Sequence, residues 1–106
     1  MAVKTGGYYL DIYKGKTFVE SKQGFSDKKE ALMWLYKVKP SKAFLMKERT
    51  IIHDDGDWES DDKIVAEINR VKRKAGYVMV YQVFDPYLGD DYKWDISPKG
   101  TLVNKR

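Results

Sequence analysis

"DDKIVAEINRVKRKAG", residues 61–76, decides how the chain is built. Ile64, Ile68, Val71 and Ala75 recur at helical spacing with Val65 beside them, which predicts a helix from Asp61 or Asp62 to Ala75. Gly76 follows as a natural C-terminal residue. Carboxylates precede the segment and Arg70, Lys72, Arg73 and Lys74 crowd its last turns, so each charge falls at the end of the helix dipole that favours it.

Immediately upstream, "HDDGDWESDD" (residues 53–62) puts six carboxylates and no basic residue into ten positions. Residues 1–50 carry eleven Lys/Arg against five Asp/Glu, and residues 63–106 carry nine against five, so an acidic patch separates two basic parts. A solvated loop leading into the helix explains the patch without any ligand. Two further readings stay open. Asp54, Asp57, Glu59 and Asp61 are candidate ligands of an irregular Mg²⁺ or Ca²⁺ site. Alternatively, Asp54, Asp55, Asp57, Trp58, Glu59 and Asp61 form a surface for a basic protein partner, with Trp58 as the aromatic anchor. An EF-hand loop is excluded, because Gly56 in its sixth position would require an oxygen ligand at Ile51.

Catalytic signals are sparse. His53 is the sole histidine and there is no cysteine, so neither a histidine metal cluster nor a thiolate site exists within one chain. No phosphate-binding glycine loop, H-E-x-x-H motif or nucleophile motif is present. A dispersed pair such as Asp85 and Asp95 is the residual enzymatic candidate. The expectation is therefore a non-enzymatic protein without cofactor or metal.

At 106 residues the chain has the length of one domain, and 42% apolar against 34% charged residues is the composition of a folded protein. The amino terminus lacks the apolar run of a signal peptide and no membrane-length apolar segment occurs, which gives a soluble, cytoplasmic protein with no membrane partner as the expectation. A net charge of +4 is ordinary for a small domain and only weakly favours an acidic partner.

The remaining segments read as strands around one further helix. "GYYLDIY" and "KTFVESK" are β-prone runs joined at "YKGK" by a tight turn at Lys14 and Gly15. That turn would set Tyr13 opposite Lys16, Asp11 opposite Phe18 and Leu10 opposite Val19. One face would then be Tyr8, Leu10, Ile12, Thr17 and Val19, and the other Tyr9, Asp11, Tyr13, Lys16, Phe18, Glu20 and Lys22. Ser26 is the expected N-cap of a helix carrying Ala31, Trp34, Leu35 and Val38, stopped by Pro40. "AFLMKERTII" is a strand, with an edge or a bulge near Thr50–Ile52; "YVMVYQVF" is a central strand; "YKWDI" and "TLV" bracket a turn at "SPKG". The expected fold is one α+β domain over residues 1–106, with two helices on a small antiparallel or mixed sheet of five to six strands, in the order β-β-α-β-α-β-β-β.

The sheet face with Tyr9, Tyr13 and Phe18 near Lys14, Lys16 and Lys22 combines stacking surfaces with phosphate-neutralising charge, the mixture that binds nucleic acid. The same aromatics equally fit a second apolar layer with Trp94 and Tyr92. "GGYYLDIYKGKTFVESKQGFSDKKEALMWLYKV" (residues 6–38) resembles the arm-type DNA-binding domain of phage-type tyrosine recombinases: a hairpin containing Gly-Lys, then "GF" and a polar helix start. The resemblance implies a small sheet entering the DNA major groove, with Tyr13, Lys14, Lys16 and Phe18 near DNA. It also places Gly24, Phe25, Glu30 and Ala31 at the turn and helix start. The leading expectation is DNA or RNA binding through Tyr9, Tyr13, Lys14, Lys16, Phe18 and Lys22, helped by Arg70, Lys72, Arg73 and Lys74. The second is a protein-binding module or inhibitor of viral or mobile-element origin that uses the acidic stretch, whose carboxylates could mimic DNA phosphates locally. Oligomeric state is open, with "AFLMKERTII" and "TLV" as edge strands able to pair with another copy.

Overall fold

The computed structural model describes residues 2–83 and 93–104. Eight strands and one helix succeed one another among them: β1 (Ala2–Lys14), β2 (Thr17–Phe25), α1 (Lys28–Val38), β3 (Lys42–Ile52), β4 (Trp58–Ser60), β5 (Lys63–Arg73), β6 (Gly76–Gln82), β7 (Lys93–Ile96) and β8 (Leu102–Val103). All strands join one antiparallel sheet in the order β2-β1-β3-β5-β6-β7-β8, with β4 beside β5 on β3. The expected two-helix layout with five to six strands is therefore wrong.

The error lies in residues 61–76. Ile64, Val65, Ile68 and Val71 are β-branched, which stiffens them against a helix and suits them to a pleated surface. Paired to β3, Ala66 and Ile68 lie opposite Leu45 and Ala43 and are buried. A register shift between Leu45 and Met46 then sets Ile64 opposite Met46, on the other face, where it is 54% exposed. The apparent helical stripe is split between two sheet faces. No helix start follows the acidic stretch, so the helix-dipole account of its charges also fails.

Helix α1 forms where its sequence predicts, with the cap moved by one residue. Asp27, not Ser26, is the N-cap, and its carboxylate accepts the backbone N–H of Glu30 at 2.8 Å. Ser26 donates its N–H (2.9 Å) and Oγ–H (2.7 Å) to the Glu30 carboxylate, completing a reciprocal box. These bonds, led by that from the Ser26 hydroxyl, hold the Glu30 carboxyl below its ordinary pKa. The helix crosses over β1, so that β2 and β3 flank β1 and run parallel to each other.

The core is the sheet face beneath α1. Ile12, Ala43, Ile68 and Tyr81 stand in one cross-strand row and Leu10, Leu45 and Ala66 in the next, all buried beneath Ala31, Leu32 and Leu35. Tyr36 donates its hydroxyl to the Ile96 carbonyl and ties the helix to β7. The strand at residues 76–82 is interior, as expected, between β5 and β7. In contrast, β3 is not an edge: β1 lies along one side and β4 with β5 along the other.

The first hairpin departs from its expected register. Its turn residues are Gly15 and Lys16, with Gly15 at φ 62, so Lys14 pairs with Thr17 and Tyr13 with Phe18. Val19 is then an extra residue, and Glu20 and Lys22 come to lie opposite Ile12 and Leu10. Lys22 and Glu20 thereby belong to the helix-side face, away from Tyr9, Tyr13 and Phe18.

Candidate functional site

The β1–β3 ladder runs from Ala2 opposite Ile52 to Tyr13 opposite Lys42; the acidic hairpin lies beyond its first end, where Lys4, Arg49 and Lys63 also stand, and a group of basic residues lies at its second. At the Lys42 end, β5 outruns β3, because Asn69 is the last residue paired to it. Arg70 thus emerges beside the C-terminus of α1. Its backbone N–H donates to Ser41 O (3.1 Å), its Nη1 donates to Lys39 O (2.7 Å), and its guanidinium carbon lies 5.0 Å from the Tyr77 ring centroid. Lys39 caps α1 in the left-handed conformation, at φ 50, and Pro40 prevents the helix from continuing. Ser41 Oγ accepts from Gly15 N–H (2.9 Å) and donates to Tyr13 O (3.1 Å), which pins the hairpin turn to the helix exit.

Beside these bonds lies an open pocket of about 250 Å³ walled by Ile12, Val19, Val38 and Pro40, and Lys14, Lys39 and Arg70 contribute to its lining. A smaller one of about 120 Å³, between Tyr36, Lys39 and Tyr77, lies alongside. Lys72 lies opposite Tyr77 and Lys16 in the adjoining turn. Of the expected nucleic-acid residues, the structure therefore brings together Lys14 and Arg70, with Lys16 and Lys72 nearby. Lys39 and Tyr77 belong to the same surface and were not anticipated; the only sequence signal for Lys39 is the proline after it.

Tyr13 also borders the first of these pockets, and the other candidates lie elsewhere. Tyr13 and Phe18 share the face away from the helix, their rings edge-to-face at 5.6 Å, and Phe18 is exposed. Tyr9 is buried and donates its hydroxyl to Asp62 at 2.5 Å, so it offers no stacking surface. Arg73 faces the buried Asp95 carboxylate at 4.0 Å, and Lys74 lies in the β5–β6 turn. Asp85 and Tyr92 fall outside the described residues, so neither the Asp85–Asp95 pair nor a layer with Tyr92 is described.

At the opposite end, the acidic stretch is the tip of a hairpin. His53 N–H donates to Asp57 O (2.7 Å), Gly56 N–H to His53 O (3.0 Å) and Asp57 N–H to Asp55 Oδ1 (3.0 Å). Glu59 lies 3.3 Å from His53 Nε2, and Asp61 3.3 Å from both Arg49 Nε and Lys63 Nζ. Asp62 accepts from Tyr9 and from Arg49 N–H (3.0 Å). Asp54, Asp57, Glu59 and Asp61 do not converge, and no group of three potential metal ligands occurs among the described residues. Asp54, Asp55, Asp57 and Glu59 remain exposed around Trp58, which is 68% exposed. Tyr9, Asp11, Glu48 and Asp62 line an open cleft of about 410 Å³ below this hairpin.

Burial, then the bond to Asp62, pushes the Tyr9 hydroxyl above its ordinary pKa, and burial does the same for Tyr36 and Tyr81. Tyrosines that ionise later in the folded than in the unfolded chain lend stability that is complete below about pH 10 and lost above it. Alkaline titration is expected to show these three ionising only with unfolding, seen as a cooperative step in phenolate absorbance that coincides with loss of circular dichroism.

No protein-family model, curated protein or solved structure matches the chain. No helix among the described residues is long and apolar enough to cross a membrane.

Proposed function

We propose that this is a small, non-enzymatic nucleic-acid-binding domain whose contact surface is the basic end of the sheet. The observation that supports it is the convergence of Lys14, Lys39 and Arg70, from three separate elements, on one cavity beside Tyr77. Cations grouped on one surface neutralise phosphates and position a strand, while an exposed tyrosine face offers a base a stacking surface. The hairpin turn with Lys14 and Lys16 is also the element that the recombinase resemblance would direct at DNA.

Fluorescence anisotropy with labelled single- and double-stranded DNA across a salt series tests this. Micromolar or tighter binding with a steep salt slope is expected, and Lys14→Ala with Lys39→Ala should flatten that slope by about two units. Absence of binding at low salt refutes the proposal. A second reading, a module for a basic protein surface, draws on one observation: Trp58 stands exposed among carboxylates, as interface anchors with charged rims do.

A further inference from the structure

We propose that the basic protein surface engaged by Trp58 is the basic end of a second copy of this chain, so that copies associate head to tail. The inference rests on the second reading above, and because it seats Trp58 on the surface proposed for nucleic acid, the two occupants would compete for it. Its basis is that one molecule carries both halves of a complementary pair. The open pocket between Val19 and Val38, which are 55% and 45% exposed, has mainly apolar walls, and the basic residues Lys14, Lys39 and Arg70 border it. At about 250 Å³ it suits one large side chain better than a free small molecule. The acidic hairpin presents one such side chain, Trp58, with Asp54, Asp55, Asp57 and Glu59 around it.

The two halves cannot meet within a chain. They occupy opposite ends of β3, whose eleven residues span about 36 Å at about 3.3 Å each. The long axis of the molecule is 56 Å against 30 and 26 Å across. Two hairpin tips facing each other would oppose carboxylates, and two basic ends would oppose cations, so a symmetric dimer through either end is disfavoured. Tip into cavity remains: head to tail, which leaves one free tip and one free cavity at the ends of every open chain of copies, or reciprocally in a two-fold pair that buries both, so a wild-type mass that stops at two chains overturns the head-to-tail arrangement.

Sedimentation equilibrium of the wild type is expected to show an average mass that grows with concentration at low salt and returns to one chain at about 0.5 M salt, where exposed charges are screened. Two variants isolate the halves: Trp58→Ala removes the anchor, and Lys14→Glu with Lys39→Glu reverses the cationic lining while keeping Arg70 and its bond to Lys39 O. Each alone should be monomeric with wild-type circular dichroism. Mixed, they should form pairs and stop at two chains, because the charge-reversed copy still offers a tip and the Trp58→Ala copy still offers a cavity. A wild type that stays monomeric at low salt up to millimolar concentration, a variant that associates like the wild type, or a mixture that does not pair overturns the inference. Labelled DNA added to the same samples separates the proposals: a monomer that binds DNA leaves only the nucleic-acid reading, and association without DNA binding leaves only this one.

Discussion

Ile68→Ala is expected to lower the unfolding free energy by about 3 kcal/mol, whereas Ile64→Ala, four residues earlier, lowers it by less than about 1 kcal/mol. Ile68 is 1% exposed, opposite Ala43 and Tyr81 beneath the helix, so truncation removes buried apolar surface and leaves a cavity in a ladder that cannot close around it. Ile64 lies beyond the register shift, opposite Met46 on the other face and more than half exposed. A helix over residues 61–75 would put both isoleucines on one buried stripe and make the two costs similar. Urea denaturation of the pair therefore measures stability and tests the strand assignment together; equal costs would argue for the helix.

That segment shows why part of the fold was legible and part was not. Helix α1 has local determinants, a capping carboxylate, apolar residues at helical spacing and a terminating proline, all readable from adjacent residues. The turn at Ser97–Gly100 is likewise local, with Gly100 N–H donating to Ser97 O at 2.9 Å. Residues 61–76 satisfy the helical period and the strand preference at once. What decides between them is pairing with β3, some twenty residues away, which propensity cannot see. The hairpin register failed for a related reason. Moving the turn to Gly15 and Lys16 and adding Val19 as an extra residue carries Lys22 to the opposite face, and neither event leaves a clear trace in the alternation of apolar and polar residues. The site inherits both errors. Lys14 and Arg70 were named for separate elements, and only β5, as a strand outrunning β3, brings Arg70 to Lys39.

Gly100→Ala is expected to cost about 3 kcal/mol, and Gly15→Ala about half of that, although both glycines occupy the left-handed region at φ 80 and φ 62. The common part is the strain of an L side chain at positive φ, about 1–2 kcal/mol. The difference is steric. A Cβ on Gly15 meets nothing within 4 Å, whereas one on Gly100 would lie 2.5 Å from Lys29 O and 2.9 Å from Met33 Cγ. The Met33 side chain can turn aside, but Lys29 O belongs to the helix backbone, so relief requires α1 to shift against the turn between β7 and β8. That shift acts on the bond from Tyr36 to Ile96 O and on the packing of Leu32 and Leu35, which joins the local clash to the main core. Thermal and urea unfolding of the two variants gives the comparison. A Gly100→Ala variant no less stable than Gly15→Ala would show that α1 does not rest on this turn as closely as the geometry states.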